Sequence, residues 1–173
     1  MSEPDISGAK LDPVGRALFF LCKVSAAIGG IALVGIALMT LWSVLARSVL
    51  SKPIMGDFEL VQLSVAVCVA AFLPYCQWQR ANIIVDFFTA NASRRTKGWL
   101  DALGAVLLAF ACALAGWRTG VGALAIKAAG ETSMLMGVPV WISYAFIAPG
   151  LGLTSLVGFY TAWQYVQESR GDE

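Results

Sequence analysis

Side chains that most often carry catalysis or bind metals are scarce in this sequence. It contains no histidine, which excludes the axial ligands of a membrane cytochrome b and most catalytic zinc sites. No nucleophile–base pair, phosphate-binding loop or acidic metal cluster can be recognised, so we expect no enzyme and no cofactor. The cysteines are far apart and form no Cys-x-x-Cys pair, so we expect them to pack as small apolar residues. They are Cys22, Cys68, Cys76 and Cys112.

The charged residues of most interest stand beside long apolar segments. Arg47 follows the first segment and Glu59 precedes the second, so both would lie at the same membrane face. One interpretation is an ion pair between them, which would be costly to break if it were desolvated. The other is that both side chains are solvated independently at the interface. The sequence leaves both interpretations open.

The composition indicates which secondary-structure elements position these charged residues. The chain is 58% hydrophobic and 13% charged, whereas a soluble domain is about one quarter charged. The segment Leu60–Gln79 carries no charge and would reach about 30 Å as a helix, the thickness of a bilayer core. Four such segments are predicted, at about 20–46, 58–79, 99–120 and 140–166. We therefore predict an all-α integral membrane protein, with one four-helix domain at 17–167 between short tails at 1–16 and 168–173.

Tryptophans and basic residues support this count and give an orientation. All six tryptophans fall near a proposed span end, as interfacial indoles prefer: Trp42, Trp78, Trp99, Trp117, Trp141 and Trp163. One face would hold Lys10, Arg16, Lys23, Arg80, Arg94, Arg95, Lys97 and Arg170, and the other Arg47, Lys52, Arg118 and Lys127. The positive-inside rule then places both termini in the cytoplasm. With a net charge of +1, nothing indicates a nucleic-acid partner.

Small residues at four-residue spacing predict where the helices pack together. These stripes are Ser25 with Gly29, Ala26 with Gly30, Ala105 with Ala109 and Ala113, and Gly150 with Thr154, Gly158 and Ala162. In the second span we expect one face to pack on protein: Glu59, Gln62, Ala66, Ala70, Leu73 and Gln77. We expect the face with Val61, Val65, Val69, Phe72 and Cys76 to meet lipid. Charged residues would stay at the rims, with Arg118 reaching the interface beside Trp117.

The two longer connections differ in character. Asn82–Thr96 is too polar to cross the membrane and too apolar for a free loop, which favours a short interfacial helix. The alternative is that Phe87 and Phe88 extend the second span. Thr119–Val138 is rich in glycine and alanine and is expected to be a long connection on the outer side.

A succession of short motifs runs through the chain in order: Trp42-Ser-Val-Leu-Ala-Arg47, Pro53-Ile-Met-Gly56, Glu59-Leu60, Arg80-Ala-Asn-Ile-Ile-Val-Asp86, Thr132-Ser133 and Val138-Pro139-Val140-Trp141-Ile142-Ser143-Tyr144. Together they resemble the small membrane subunit of TRAP (tripartite ATP-independent periplasmic) transporters. One departure is Asn82, where the family commonly has histidine. The candidates for structural or interface roles are Arg47, Glu59, Asn82, Asp86, Trp42, Gln62, Pro139 and Trp141.

The resemblance implies a multi-pass scaffold subunit of the bacterial inner membrane. Its partners would be membrane lipid, a large multi-span permease subunit and a periplasmic solute-binding protein, the last touching the outer loops. The complex would take up a small solute, commonly an organic acid, at the expense of an ion gradient such as sodium. Two alternatives remain, a self-contained homo-oligomeric four-span transporter and a membrane anchor for an enzyme complex.

Overall fold

The computed structural model describes residues 13–50, 56–80 and 94–171. They form four helices, α1 (Pro13–Leu50), α2 (Asp57–Trp78), α3 (Arg94–Ala129) and α4 (Trp141–Gly171). Each is long and apolar enough to cross a membrane, and within these ranges the only β structure is a single bridge between Thr132 and Pro139. The prediction of an all-α membrane protein with four spanning helices is confirmed. The interfacial helix expected at Asn82–Thr96 falls almost wholly outside the described residues, and its last residues belong to α3.

Helix α3 is much longer than its predicted span. It continues through the stretch that we expected to be an outer connection and ends at Ala129, which leaves only residues 130–140 between α3 and α4. The expectation of a 20-residue connection is therefore wrong. Glycine is tolerated in membrane helices, and here Gly120 lies beside Ala148 and Gly122 beside Tyr144 of α4. Packing against α4 therefore keeps this glycine-rich segment helical.

The four helices are arranged in a row, in the order α1, α2, α4, α3. Helix α3 packs extensively on α4, and α2 packs on both α1 and α4, whereas α1 barely touches α4. Among the described residues, neither α1 nor α2 packs against α3. A groove of about 420 Å³ opens where α1 and α4 diverge, lined among others by Gly35, Ser64 and Phe146. Helices α1 and α3 are therefore edge helices with one main neighbour each.

Small residues allow the helices to approach closely at several of the predicted stripes, but not at Ala26 with Gly30, since a Cβ added at Gly30 would meet nothing within 4 Å. The Ser25 hydroxyl of α1 donates a hydrogen bond to the Ala71 carbonyl of α2 over 2.9 Å. An added Cβ at Gly150 would lie 2.6 Å from the Ala70 carbonyl oxygen, and one at Gly158 would lie 2.8 Å from the Ala109 Cβ. The α2–α4 and α3–α4 contacts thus depend on these two glycines. In the predicted stripes Ala105, Ala109, Thr154 and Ala162 are buried, whereas Ala113 is exposed.

The predicted faces of α2 are only partly correct. Ala70 and Gln77 are buried, and Val65, Val69 and Cys76 are exposed, as expected. Gln62 and Ala66 are exposed instead of packed on protein. The physical reason is the row arrangement, in which α2 has neighbours on two sides only.

Trp78 ends α2 as predicted, although it is buried against protein, whereas Trp117 departs from the predicted interfacial belts. Trp78 is only 4% exposed, and its ring lies between those of Phe19 and Tyr160, each at a centroid distance of 5.6 Å. Trp117 follows Gly116, which packs against Ala148 and Leu151 well inside α4. Trp117 and Arg118 are therefore not at the end of a span, because α3 continues beyond them. Four free cysteines are present, with Cys22, Cys68 and Cys112 buried and Cys76 exposed.

Candidate functional site

Most motif residues that the structure describes lie at one end of the helix row, here called the connection end. It comprises the end of α1, the start of α2, the end of α3 and the start of α4. The opposite end, with the starts of α1 and α3 and the ends of α2 and α4, is the terminal end.

The α3–α4 connection is a small hairpin, residues 131–140, referred to below as the connecting hairpin. Its two arms are joined by the Thr132–Pro139 bridge and by a hydrogen bond from the Ser133 N–H to the Val138 carbonyl over 2.8 Å. Gly137 has a φ of 65° and donates to the Ser133 carbonyl over 3.2 Å. This left-handed conformation is one that glycine adopts readily. Pro139, a sequence candidate, thus has a structural role in the hairpin.

Glu59 binds the turn of the connecting hairpin to the start of α2. The Ser133 Oγ donates a hydrogen bond to Glu59 Oε2 over 2.5 Å, and the Leu135 N–H donates to the same oxygen over 3.2 Å. The Met136 N–H also donates to the Ser133 Oγ, over 3.4 Å. Hydrogen bonds to a carboxylate are stronger than those between neutral groups, and an anion in the first turn of a helix is favoured by the helix dipole. These contacts are called the Glu59 latch below.

The turn before α2 completes the docking of the hairpin. Gly56 precedes α2 with a φ of 81°, and a Cβ added there would overlap Met136 Cγ. Glycine therefore satisfies both the backbone conformation and the close approach of the Met136 side chain. Gly56, the last residue of the Pro53-Ile-Met-Gly56 motif, thus allows the connecting hairpin to pack against the start of α2.

Asp57, and not Glu59, is the acidic partner of Arg47. Arg47 Nη2 lies 3.6 Å from Asp57 Oδ2, and the Ser43 hydroxyl donates to the same oxygen over 2.6 Å. The predicted interpretation of an Arg47–Glu59 pair is therefore wrong. Two residues along a helix are rotated by about 200°, so Asp57 faces α1 while Glu59 faces the connecting hairpin.

The remaining sequence candidates occupy different surroundings. Trp42 is exposed next to the buried Ser43. Trp141 is the first residue of α4 and carries the Lys127 ammonium 4.7 Å above its ring. Gln62 is exposed on α2, and Asn82 and Asp86 lie outside the described residues.

Sequence reasoning missed the partners that complete this end of the molecule. Ser43 and Ser133 lie inside the sequence motifs, but the sequence indicates no role for either. Met136 lies outside the motifs, and the sequence indicates no role for it. Helical rotation between Asp57 and Glu59 was the one available signal, since the two acids cannot face the same neighbour.

A second set of polar contacts joins α2 to α4 at the terminal end. Arg80 has a φ of 52°, donates to the Gln164 side-chain oxygen over 3.2 Å and lies 4.4 Å from the Tyr165 ring centroid. The Gln77 amide donates to the Thr161 hydroxyl over 3.2 Å. Helix α2 is thus tied at both ends to the α3–α4 half of the chain.

Side chains at the connection end hold separate helices together, and the connecting hairpin exposes an apolar surface there. No group of three or more His, Cys, Asp or Glu residues that could hold a metal occurs in the parts of the chain that the structure describes. The tip of the connecting hairpin instead presents apolar side chains: Met134 is 96% exposed and Leu135 is 64% exposed. The unbranched methionine side chain is a flexible apolar group that can adjust to different contacts.

Comparisons with known proteins give one match. No curated protein and no solved structure matches the chain. The family model described as "Tripartite ATP-independent periplasmic transporters, DctQ component" matches residues 36–168, which include the connection end, α2 and α3 in full, α1 from residue 36 and α4 up to residue 168. The chain therefore belongs to the DctQ family, the small membrane subunits of TRAP transporters.

Proposed function

We propose that the chain is the stationary scaffold subunit of a TRAP transporter in the bacterial inner membrane. Its family is a transporter component and not an enzyme family, and family membership implies two partners, a large permease subunit and a periplasmic binding protein. In this proposal the large subunit carries the solute, a small organic acid, and the coupling ion, sodium. The DctQ subunit holds the large subunit in place.

The observation that carries this proposal is how the two helical pairs are held together. The Glu59 latch connects α2 to the α3–α4 connection, and Arg80 with Gln77 connects α2 to α4 at the other end. Such ties at both ends favour a rigid support over a subunit that opens and closes.

The buried polar groups are also those of a scaffold. Among the described residues they are hydroxyls and one amide: Ser43, Gln77, Thr154, Ser155 and Thr161. Thr154 and Thr161 donate to carbonyls within their own helix, and Gln77 bonds to Thr161. The Gln77–Thr161 bond joins two helices, and none of these buried groups is ionisable, whereas transport pathways commonly place ionisable residues inside the bundle.

The connection end would face the periplasm. Both termini would then be cytoplasmic, which agrees with the basic residues near the terminal end. The exposed tip of the connecting hairpin, with Met134 and Leu135, would be available to the periplasmic binding protein.

Reconstitution tests this proposal directly. The chain should co-purify with its cognate large permease subunit when the two are co-expressed. Liposomes that contain both subunits should accumulate the solute only when the binding protein and a sodium gradient are supplied. Accumulation by liposomes that contain the DctQ subunit alone would refute the scaffold role and favour a self-contained transporter.

Topology is tested separately. A fluorescent protein fused after Glu173 should be bright, and alkaline phosphatase fused at the same place should be inactive, because both termini are proposed to be cytoplasmic. Active phosphatase at Glu173 would reverse the proposed orientation.

A further inference from the structure

Arg118 lies deep within the apolar height of the helix row. Its neighbours Gly116 and Gly120 both pack against Ala148 of α4. Two residues further along α4, Gly150 packs against Ala70, near the centre of the uncharged stretch of α2. Lys127, which marks the connection end beside Trp141, is about 13 Å further along α3. Arg118 is therefore level with the interior of the spans and not with a rim.

The side chain of Arg118 is directed away from this protein. Gly116 and Gly120 face α4, and a residue two positions from each is rotated by about 200°. Arg118 is exposed and has no hydrogen bond or ion pair with the described residues. Side chains on a helix lean toward its N-terminus, which for α3 is the terminal end. Reaching the nearer rim, at the connection end, would thus go against this lean.

An exposed apolar stripe runs beside Arg118 on the same edge helix. It is called the α3 seam and consists of Leu103, Leu107, Phe110, Leu114, Trp117, Val121 and Leu124, all exposed. The spacing alternates strictly between four and three residues, which is the pattern of a helix that packs along another helix. Arg118 takes the position that flanks such a seam, where interhelical ion pairs form.

The described acids of a second copy of this chain could not supply the missing negative charge. The acids of the described chain all lie at its ends: Asp57, Glu59 and Glu131 at the connection end, and Asp101 and Glu168 at the terminal end. Copies in one membrane share the same orientation, so none of these described acids in a neighbouring copy would be level with Arg118. Lipid headgroups lie at the rims, and the exposed arginine is costly in the hydrocarbon unless it is paired.

We propose that the α3 seam is an intramembrane interface for a helix of the large permease subunit, which places a carboxylate beside Arg118. This inference rests on the proposed function and adds to it the face of contact and the charge of the partner. It also assigns a role to Arg118, a cation at this depth on α3 that has no partner among the described residues.

Replacement of Arg118 separates protein contact from lipid contact. R118L and R118E should each lower the amount of large subunit that co-purifies by about tenfold or more, because the partner carboxylate would be left unpaired. R118K, which keeps the charge, should retain most of the complex. K127L is the matched control, since it removes an exposed cation from the rim of the same helix, and it should change recovery less than about twofold.

Folding of the variants is measured on the DctQ subunit alone. Its membrane abundance and thermal unfolding should not fall in R118L, because removal of an unpaired charge from an apolar surface does not destabilise the isolated subunit. If R118L retained the full amount of large subunit, the seam would face lipid and the inference would be overturned.

Photo-crosslinking identifies the occupant. A benzophenone amino acid at Leu114 or Val121 should cross-link to the large subunit, and the yield should fall when R118E is added. Cross-links to a second copy, or none to the large subunit, would overturn the inference.

The inference can fail while the proposed function stands. This would be the outcome if R118L kept the full amount of large subunit and no cross-links to it formed, while the wild-type pair still co-purified and transported solute. If the wild-type pair did not associate, the proposed function itself would fail.

Discussion

Ser133 Oγ donates a hydrogen bond to Glu59 Oε2 over 2.5 Å, although the two residues are 74 positions apart in the chain. This contact joins the first residues of α2 to the connecting hairpin, and so it links the two halves of the chain at the connection end. The same carboxylate also accepts the Leu135 N–H. Glu59 therefore stabilises a contact between two segments that are far apart in the sequence.

Loss of the Glu59 latch should destabilise the connection end. We expect E59A to lower the thermal unfolding temperature, because two donors of the hairpin lose their acceptor. S133A should have a smaller effect. Thermal unfolding and the rate of proteolysis within residues 131–140 measure both effects. E131Q is the control, since Glu131 is exposed, and an equal loss in E131Q would contradict a specific latch.

Asp57 should matter more than Arg47 to the α1–α2 turn. Arg47 is 62% exposed and Asp57 23% exposed at the side chain, and exposed ion pairs contribute about 0–1 kcal/mol. D57A also removes the acceptor of the buried Ser43 hydroxyl, which costs about 1–3 kcal/mol. Urea or thermal unfolding of R47A, S43A and D57A should therefore rank R47A as the mildest.

Charge reversal distinguishes the two acids that could pair with Arg47. R47D combined with D57R should recover part of the stability that the single reversals lose, whereas R47E combined with E59R should recover none. Recovery by the second pair would contradict the contact between Arg47 and Asp57.

Close approach of α2 and α4 should depend on Gly150. We expect G150A to lower stability by about 1–3 kcal/mol, because its Cβ would meet backbone atoms of Ala70 that cannot rotate away. Gly152 is two residues along the same helix, and an added Cβ there would meet nothing within 4 Å. G152A is therefore the matched control and should unfold at or above the wild-type temperature. Equal losses in both variants would indicate a general effect of alanine and not the α2 contact.

The surroundings of Trp78 can be tested against those of Trp163. Trp78 is 4% exposed and stacks on Tyr160, whereas Trp163 is 64% exposed. W78A should cost about 3–5 kcal/mol, and W163A should cost far less. With only one of the two tryptophans present among phenylalanine replacements, brominated lipids should quench Trp163 strongly and Trp78 weakly. Strong quenching of Trp78 would show that it contacts lipid and would contradict its burial between Phe19 and Tyr160.

Sequence patterns predicted the helices and most of their contacts for clear physical reasons. Long uncharged segments have few alternatives in a membrane, because each backbone group must be hydrogen-bonded within its own segment. Small-residue spacing also gave the correct contact faces at Ser25, Ala109 and Gly158. These features are local in the sequence and therefore readable from it.

The errors arose where distant segments decide the outcome. Composition made Thr119–Val138 resemble a loop, and only contacts with α4 at Ala148 and Tyr144 explain why much of it is helical. Because the length of α3 was underestimated, Arg118 was also predicted to lie at the membrane rim and not in the interior. Choosing between Asp57 and Glu59 as the partner of Arg47 required the position of the connecting hairpin, which the sequence does not provide.

The row of helices has a mechanical consequence for any neighbour that leans on it. Helices α1 and α2 form one half of the row and α4 and α3 the other, and the main joint between the two halves is the contact of α2 with α4. The Glu59 latch and the Arg80–Gln164 bond fasten the two extremities of that joint, and the Gly150 contact holds its centre. A sideways force from a moving neighbour would therefore act on an α2–α4 contact that is held at both ends and at its centre.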